Sequence, residues 1–132
     1  MIKKYSIVGL FIFFIAIEGN SQALDCYKFK EGTFFYPTIP NGLSVRKNNI
    51  QKSYTNGKLT MIWKVKWISD CQYKMVCKKV LVKPFSIKKG DQIIATIIST
   101  DGNCYTTSVI YFNKENPKGI DYPNTEMCIK KD

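Results

Sequence analysis

Between Lys58 and Ile68 the chain alternates in character. Leu59, Met61, Trp63, Val65 and Trp67 fall on one face, while Lys58, Thr60, Lys64 and Lys66 fall on the other, with Ile62 the exception. Side chains of a strand point to opposite faces at a period of two, so this pattern predicts a strand with one greasy and one cationic side. Ser69-Asp70 follows as a short turn. Cys71, Tyr73, Met75 and Cys77 then alternate with Gln72, Lys74, Val76 and Lys78, which predicts a hairpin partner.

A second hairpin is written at Gln92–Thr100 and Cys104–Phe112, both rich in β-prone residues. Asp101-Gly102 lies between them as a two-residue turn, which would set Ile98 opposite Tyr105, Thr96 opposite Thr107 and Ile94 opposite Val109. Asn41-Gly42 and Asn56-Gly57 mark further turns and delimit strands near Leu43–Lys47 and Ile50–Tyr54. Cys26–Tyr36 is read as a first strand with a bulge or kink at Gly32, and Met127–Lys130 as a short last one. Lys114–Pro123, with two prolines, is read as a loop. No segment after residue 24 has helical periodicity. The fold class is therefore all-β: an antiparallel meander of about seven or eight strands, as an open curved sheet or a lipocalin-like (half-)barrel.

The first 23 residues break the pattern. Lys3 and Lys4 precede an apolar run from Ile7 to Ile17, and Ser21-Gln22-Ala23 ends the stretch with small residues. This is the three-part layout of a secretory signal peptide. The run is too short for a membrane span, which takes about 20 apolar residues. Residues 1–23 are thus expected to be removed after Ala23. Residues 24–132 would form one β domain, periplasmic or extracellular.

Export changes the meaning of the five cysteines. In an oxidising compartment Cys26, Cys71, Cys77, Cys104 and Cys128 can form disulfides, and an odd number leaves one over. Cys71 and Cys77 share a strand face about 20 Å apart and cannot join within that strand. Cys26–Cys71 and Cys104–Cys128 are the favoured pairings, with simple burial as the alternative.

Charge and composition narrow the chemistry. The chain of 132 residues carries a formal net charge of +10 and has no histidine. A cysteine nucleophile without a histidine base has no support, and neither does a zinc site without Cys-x-x-Cys pairs. A hydrolase built on paired carboxylates is the competing enzyme class, but Asp70, Asp91 and Asp101 are turn formers first. No metal and no cofactor are expected, and binding is favoured over catalysis.

Two groups could bind. Trp63, Trp67 and Tyr73 are either core or the wall of a pocket for a small hydrophobic ligand, with Arg46 neutralising a carboxylate or phosphate. The plain alternative for Arg46 is a solvated strand residue. Lys58, Lys64, Lys66, Lys74 and Lys78 would line a basic sheet face, with Lys52 and Lys79 among the other strand lysines. Such a face attracts polyanions, or serves only solubility and edge protection. Export favours anionic lipid, lipopolysaccharide or an acidic glycan over nucleic acid.

Three segments resemble a family of small secreted proteins of Bacteroidetes-type bacteria. They are Cys26 to Phe34, Arg46 with Gln51, and Val65 to Met75. The family pattern has an acidic residue two positions after the glutamine, where this chain has Ser53. Members sometimes carry a topoisomerase label. A short β chain has no room for the nucleotide-binding or cleavage domain that label requires. The resemblance implies an exported antiparallel β protein.

Overall fold

The computed structural model describes residues 24–83 and 86–131. The expected signal peptide, residues 1–23, lies outside them. Eight strands follow in order: β1 (Gly32–Tyr36), β2 (Ile39–Lys47), β3 (Ile50–Thr55), β4 (Lys58–Ser69), β5 (Gln72–Val80), β6 (Gln92–Asp101), β7 (Cys104–Phe112) and β8 (Ile120–Ile129). Each pairs antiparallel with the next, and β1 pairs with β8 through Phe34–Ile129 and Phe35–Cys128. The sheet is therefore a closed up-and-down barrel, of the lipocalin-like kind, and neither open nor half-closed. Closure leaves no unpaired strand edge.

The turns explain the meander. Asn48 and Asn49 both take positive φ (53° and 61°), as do Asn56 and Gly57 (50° and 74°). Paired positive-φ positions match the right-handed twist of a tight hairpin, and asparagine and glycine tolerate them best. With eight strands, the bore is narrow enough for side chains to fill.

Four sequence readings are corrected. Asn41-Gly42 is not a turn: both lie inside β2, and the β1–β2 turn is Pro37-Thr38, since Tyr36 pairs with Ile39. Cys26–Phe29 is not strand: Tyr27–Phe29 is a single 3₁₀ turn, with Cys26 in a helical conformation and the Lys30 N–H donating to the Tyr27 carbonyl. Gly32, at φ 147°, redirects the chain into β1. The β6–β7 turn is Gly102-Asn103, because Asp101 itself pairs with Cys104. A register shift at Ile98 then sets Ile97 opposite Thr107, Thr96 opposite Ser108 and Ile94 opposite Ile110, while Ile98 points to solvent. Finally, β8 begins at Ile120 and takes in Pro123. Pro123 falls where the β7–β8 pairing jumps from Val109–Tyr122 to Thr107–Thr125. At such an irregularity no ladder hydrogen bond is asked of the proline.

The core has two connected parts. Phe29, Phe34, Ile97, Tyr105 and Met127 pack together at the end of the barrel that the 3₁₀ turn covers. Trp63, Val65, Tyr73, Met75, Cys77 and Ala95 form the other cluster, and Trp67 packs against both. Cys26–Cys71 ties the 3₁₀ turn to the β4–β5 hairpin, and Cys104–Cys128 joins directly opposed residues of β7 and β8. Cys77 is the free, buried thiol, and burial pushes its pKa up. Two disulfides fit an oxidising, exported environment. Among the described residues no helix is long and apolar enough to cross a membrane.

Candidate functional site

Positive charge is placed in two ways in this barrel, inside and out. Inside, Arg46 of β2 is 1% exposed. It pairs with Gly32 across β1–β2 and with Gln51 across β2–β3, so the inward-facing neighbour on one side has no side chain. Its Nε donates to Gln51 Oε1 (2.9 Å), Nη1 to the Phe29 carbonyl (2.7 Å), and Nη2 to the hydroxyls of Tyr73 (3.1 Å) and Tyr105 (3.0 Å). The guanidinium also stands 4.5 Å from the Tyr73 ring centre, 5.0 Å from Phe34 and 5.8 Å from Trp67. None of these partners is an acid.

Ring faces and oriented dipoles thus replace the water and counter-ion that a buried cation normally requires. Burial opposes the charge of Arg46, yet the phenols of Tyr73 and Tyr105 bring its net shift upward. Burial also pushes Tyr105 well above the ordinary phenol range, with Tyr73 adding to the effect. At neutral pH the Tyr105 hydroxyl is therefore uncharged, accepting from Arg46 and donating to Met127 Sδ. Ser53, where the resemblance implies an acid, is a serine opposite Ser44 on the inner side of β2–β3.

The structure brings together three of the four residues read as a ligand site. The Trp67 and Tyr73 rings lie 4.7 Å apart, tilted at 49°, and both face Arg46. Trp63 lies opposite Gln51 and Cys77, in the second core cluster. Trp63 and Tyr73 are each 2% exposed. They are packed core, and Arg46 is no solvated strand residue. Tyr105 and the Phe29 carbonyl complete the network; in the sequence both residues stand out only as aromatics scattered over the strands, with nothing to tie them to Arg46. Gln51 was signalled only by its place beside Arg46 in the resemblance.

Outside, the register of β3–β5 gathers lysines. Lys66 lies directly opposite Lys74, Lys64 lies between Ile50 and Val76, and Ile62 lies between Lys52 and Lys79. Lys74 in turn faces Ile94 of β6. Lys52, Lys64, Lys66 and Lys79 are exposed and Lys74 is half-buried. Lys58 sits at the β3–β4 turn opposite Thr55, away from this group. Lys78 is the unpaired residue of a bulge, and Lys79 takes the wall position in its place. Strands β3, β4 and β5 contain no Asp or Glu. Diametrically across the barrel, β8 carries Asp121 and Glu126 and no lysine.

Among the described residues the remaining acids lie in structural roles. Asp91 is buried, and its carboxylate accepts from the Tyr111 hydroxyl and from the Lys88 N–H (2.9 Å). That hydrogen bond and the Asp91 charge add to burial in pushing Tyr111 far up. Cys104, Glu126 and Cys128 lie close together, but both sulfurs are in the disulfide and offer no thiolate for a metal. No protein-family model, curated protein or solved structure matches this chain.

Proposed function

We propose that this chain is an exported, non-enzymatic binding protein that engages anionic surfaces of the cell envelope through the outer wall of β3–β5. The single observation that carries this reading is the Lys66–Lys74 pair. Like charges directly opposed across two strands are destabilising. Here they sit on an acid-free wall with Lys52, Lys64 and Lys79 close by. Solubility alone asks for dispersed charge, and a protein anchored only by its core gains nothing from this clustering. A surface of opposite charge converts the repulsion into attraction.

Anionic lipid suits the wall better than a glycan. Ile50, Ile62, Val76 and Ile94 are half-buried among the lysines, and Ile68 and Ile98 are exposed close by. Apolar side chains interleaved with cations fit a headgroup layer over an acyl boundary.

The test is co-sedimentation with vesicles of phosphatidylglycerol and phosphatidylcholine, beside pure phosphatidylcholine. Binding is expected to the anionic vesicles, with loss at high salt as exposed charges are screened. The Lys64→Gln/Lys66→Gln/Lys74→Gln variant is expected to lose most of it, because each lysine near an anionic surface contributes about 1 kcal/mol. Equal binding to neutral vesicles, or none to either, would sink the idea. A lipocalin-like carrier is the second reading. It would need its ligand at an end of the barrel, since Trp63 and Tyr73 pack the bore.

A further inference from the structure

A cleft of about 550 Å³ opens beneath the 3₁₀ turn, bordered by Tyr27, Lys30, Arg46, Asn48, Asn49 and Trp67. It is separate from the lysine wall and from the larger cleft at the opposite end of the barrel. We propose that it binds a small organic anion, a carboxylate on a planar aromatic body, with Arg46 and Lys30 meeting the carboxylate and Tyr27 and Trp67 meeting the ring.

Three observations support this. First, Arg46 carries a buried charge whose partners are all neutral. A guanidinium has five N–H donors. Among the described residues four hydrogen bonds engage one Nε, one Nη1 and both Nη2 donors, leaving one Nη1–H uncommitted. A carboxylate would supply both the missing acceptor and the missing charge.

Second, the cleft offers ring faces to water. Tyr27 is 81% exposed, although the Cys26–Cys71 disulfide holds the adjoining backbone in place. Trp67 is half-buried on the opposite side. The Lys30 ammonium stands over both rings, 5.7 Å from Tyr27 and 5.3 Å from Trp67. A cation resting on two aromatic faces is free to swing to an arriving carboxylate and yield those faces to its ring.

Third, the remaining charges do not cancel the attraction. Glu31 is the acid beside the cleft, and it accepts from the Asn48 N–H (2.8 Å). Lys28 donates to the Gly102 carbonyl. The border therefore stays net positive with Arg46 and Lys30 counted.

The experiment is a titration of the oxidised, ¹⁵N-labelled protein with 1-naphthoate, followed by amide shifts. Saturable shifts are expected at Lys30, Asn48 and Asn49. The neutral 1-naphthalenemethanol is expected to bind about tenfold more weakly, since a charge-assisted hydrogen bond is roughly twice as strong as a neutral one. Lys30→Met, a change at a partly exposed site, is expected to weaken naphthoate by about tenfold as well. The Lys64→Gln/Lys66→Gln/Lys74→Gln variant is expected to bind naphthoate unchanged, which separates this site from the vesicle-binding wall. Absence of saturable shifts, equal affinity for the neutral analogue, or loss of binding in the wall variant would overturn the proposal.

Discussion

Arg46 and Lys66 are both cations on neighbouring parts of one barrel, and the protein treats them in opposite ways. Arg46 is enclosed by four hydrogen bonds and three aromatic rings, at 1% exposure. Lys66 stands in water opposite a second lysine. The first arrangement stabilises the fold and fixes geometry, because four of the five guanidinium donors have a defined acceptor. The second costs stability and fixes nothing. A planar guanidinium with a rigid fork of donors suits the interior, while a flexible, strongly hydrated ammonium suits a surface. The comparison teaches that charge inside this barrel is first an architectural element, with a single N–H left over at the cleft, and that charge outside is wholly available to a partner.

The largest effect is expected from Arg46→Met. It leaves the Phe29 carbonyl and Gln51 without their partner, and each buried polar group stranded in this way costs about 1–3 kcal/mol. Denaturant titration measures it, and a loss under about 1 kcal/mol would show that the network is decorative. Next comes the Cys26→Ser/Cys71→Ser pair. It frees the turn that presents Phe29 to Arg46 and opens a 45-residue loop, at an expected cost of about 2–4 kcal/mol. An unchanged midpoint would mean that packing of Phe29 alone holds the turn.

Alkaline pH probes the same interior. Burial raises the pKa of Tyr36, and burial with Tyr73 raises that of Tyr105. A group whose folded pKa lies above its unfolded value stabilises the fold below the unfolded pKa, near 10 for a phenol. That contribution is lost as pH rises through the folded value. Stability should therefore hold up to about pH 9 and fall above about pH 10, and a flat profile through pH 11 would count against neutral buried phenols. The smallest effect should have the opposite sign. Lys66→Gln relieves the repulsion with Lys74 and should stabilise by about 0.2–1 kcal/mol while weakening vesicle binding. Destabilisation would show that the lysine stem packs usefully on the wall.

Much of the architecture could be read from the chain. The alternation at Lys58–Ile68 and Cys71–Cys77 and the Asn56-Gly57 turn gave the meander, because these are local signals of backbone geometry, whereas Asn41-Gly42 looked like a turn and lies inside β2. Register was less legible. Asp101-Gly102 looked like the turn, yet pairing slid by one residue, and only the cross-strand fit at Ile97 and Thr107 decides such a slip. The site was least legible. Arg46 drew notice, but Tyr105 lies 59 residues away and its hydroxyl meets Arg46 only after β1 and β8 close the barrel.

The sequence by itself determined that this is a basic antiparallel β protein, with an odd cysteine and without histidine chemistry. It could do so because period-two alternation, turn residues and composition are properties of neighbours along the chain. The tertiary structure alone decided that the sheet closes, that Lys66 faces Lys74 while Lys78 falls out of line in a bulge, and that Arg46 lies inside. Those are properties of partners brought together across strands. A single bulge shifts them by one residue, and with it moves a side chain from water to the core.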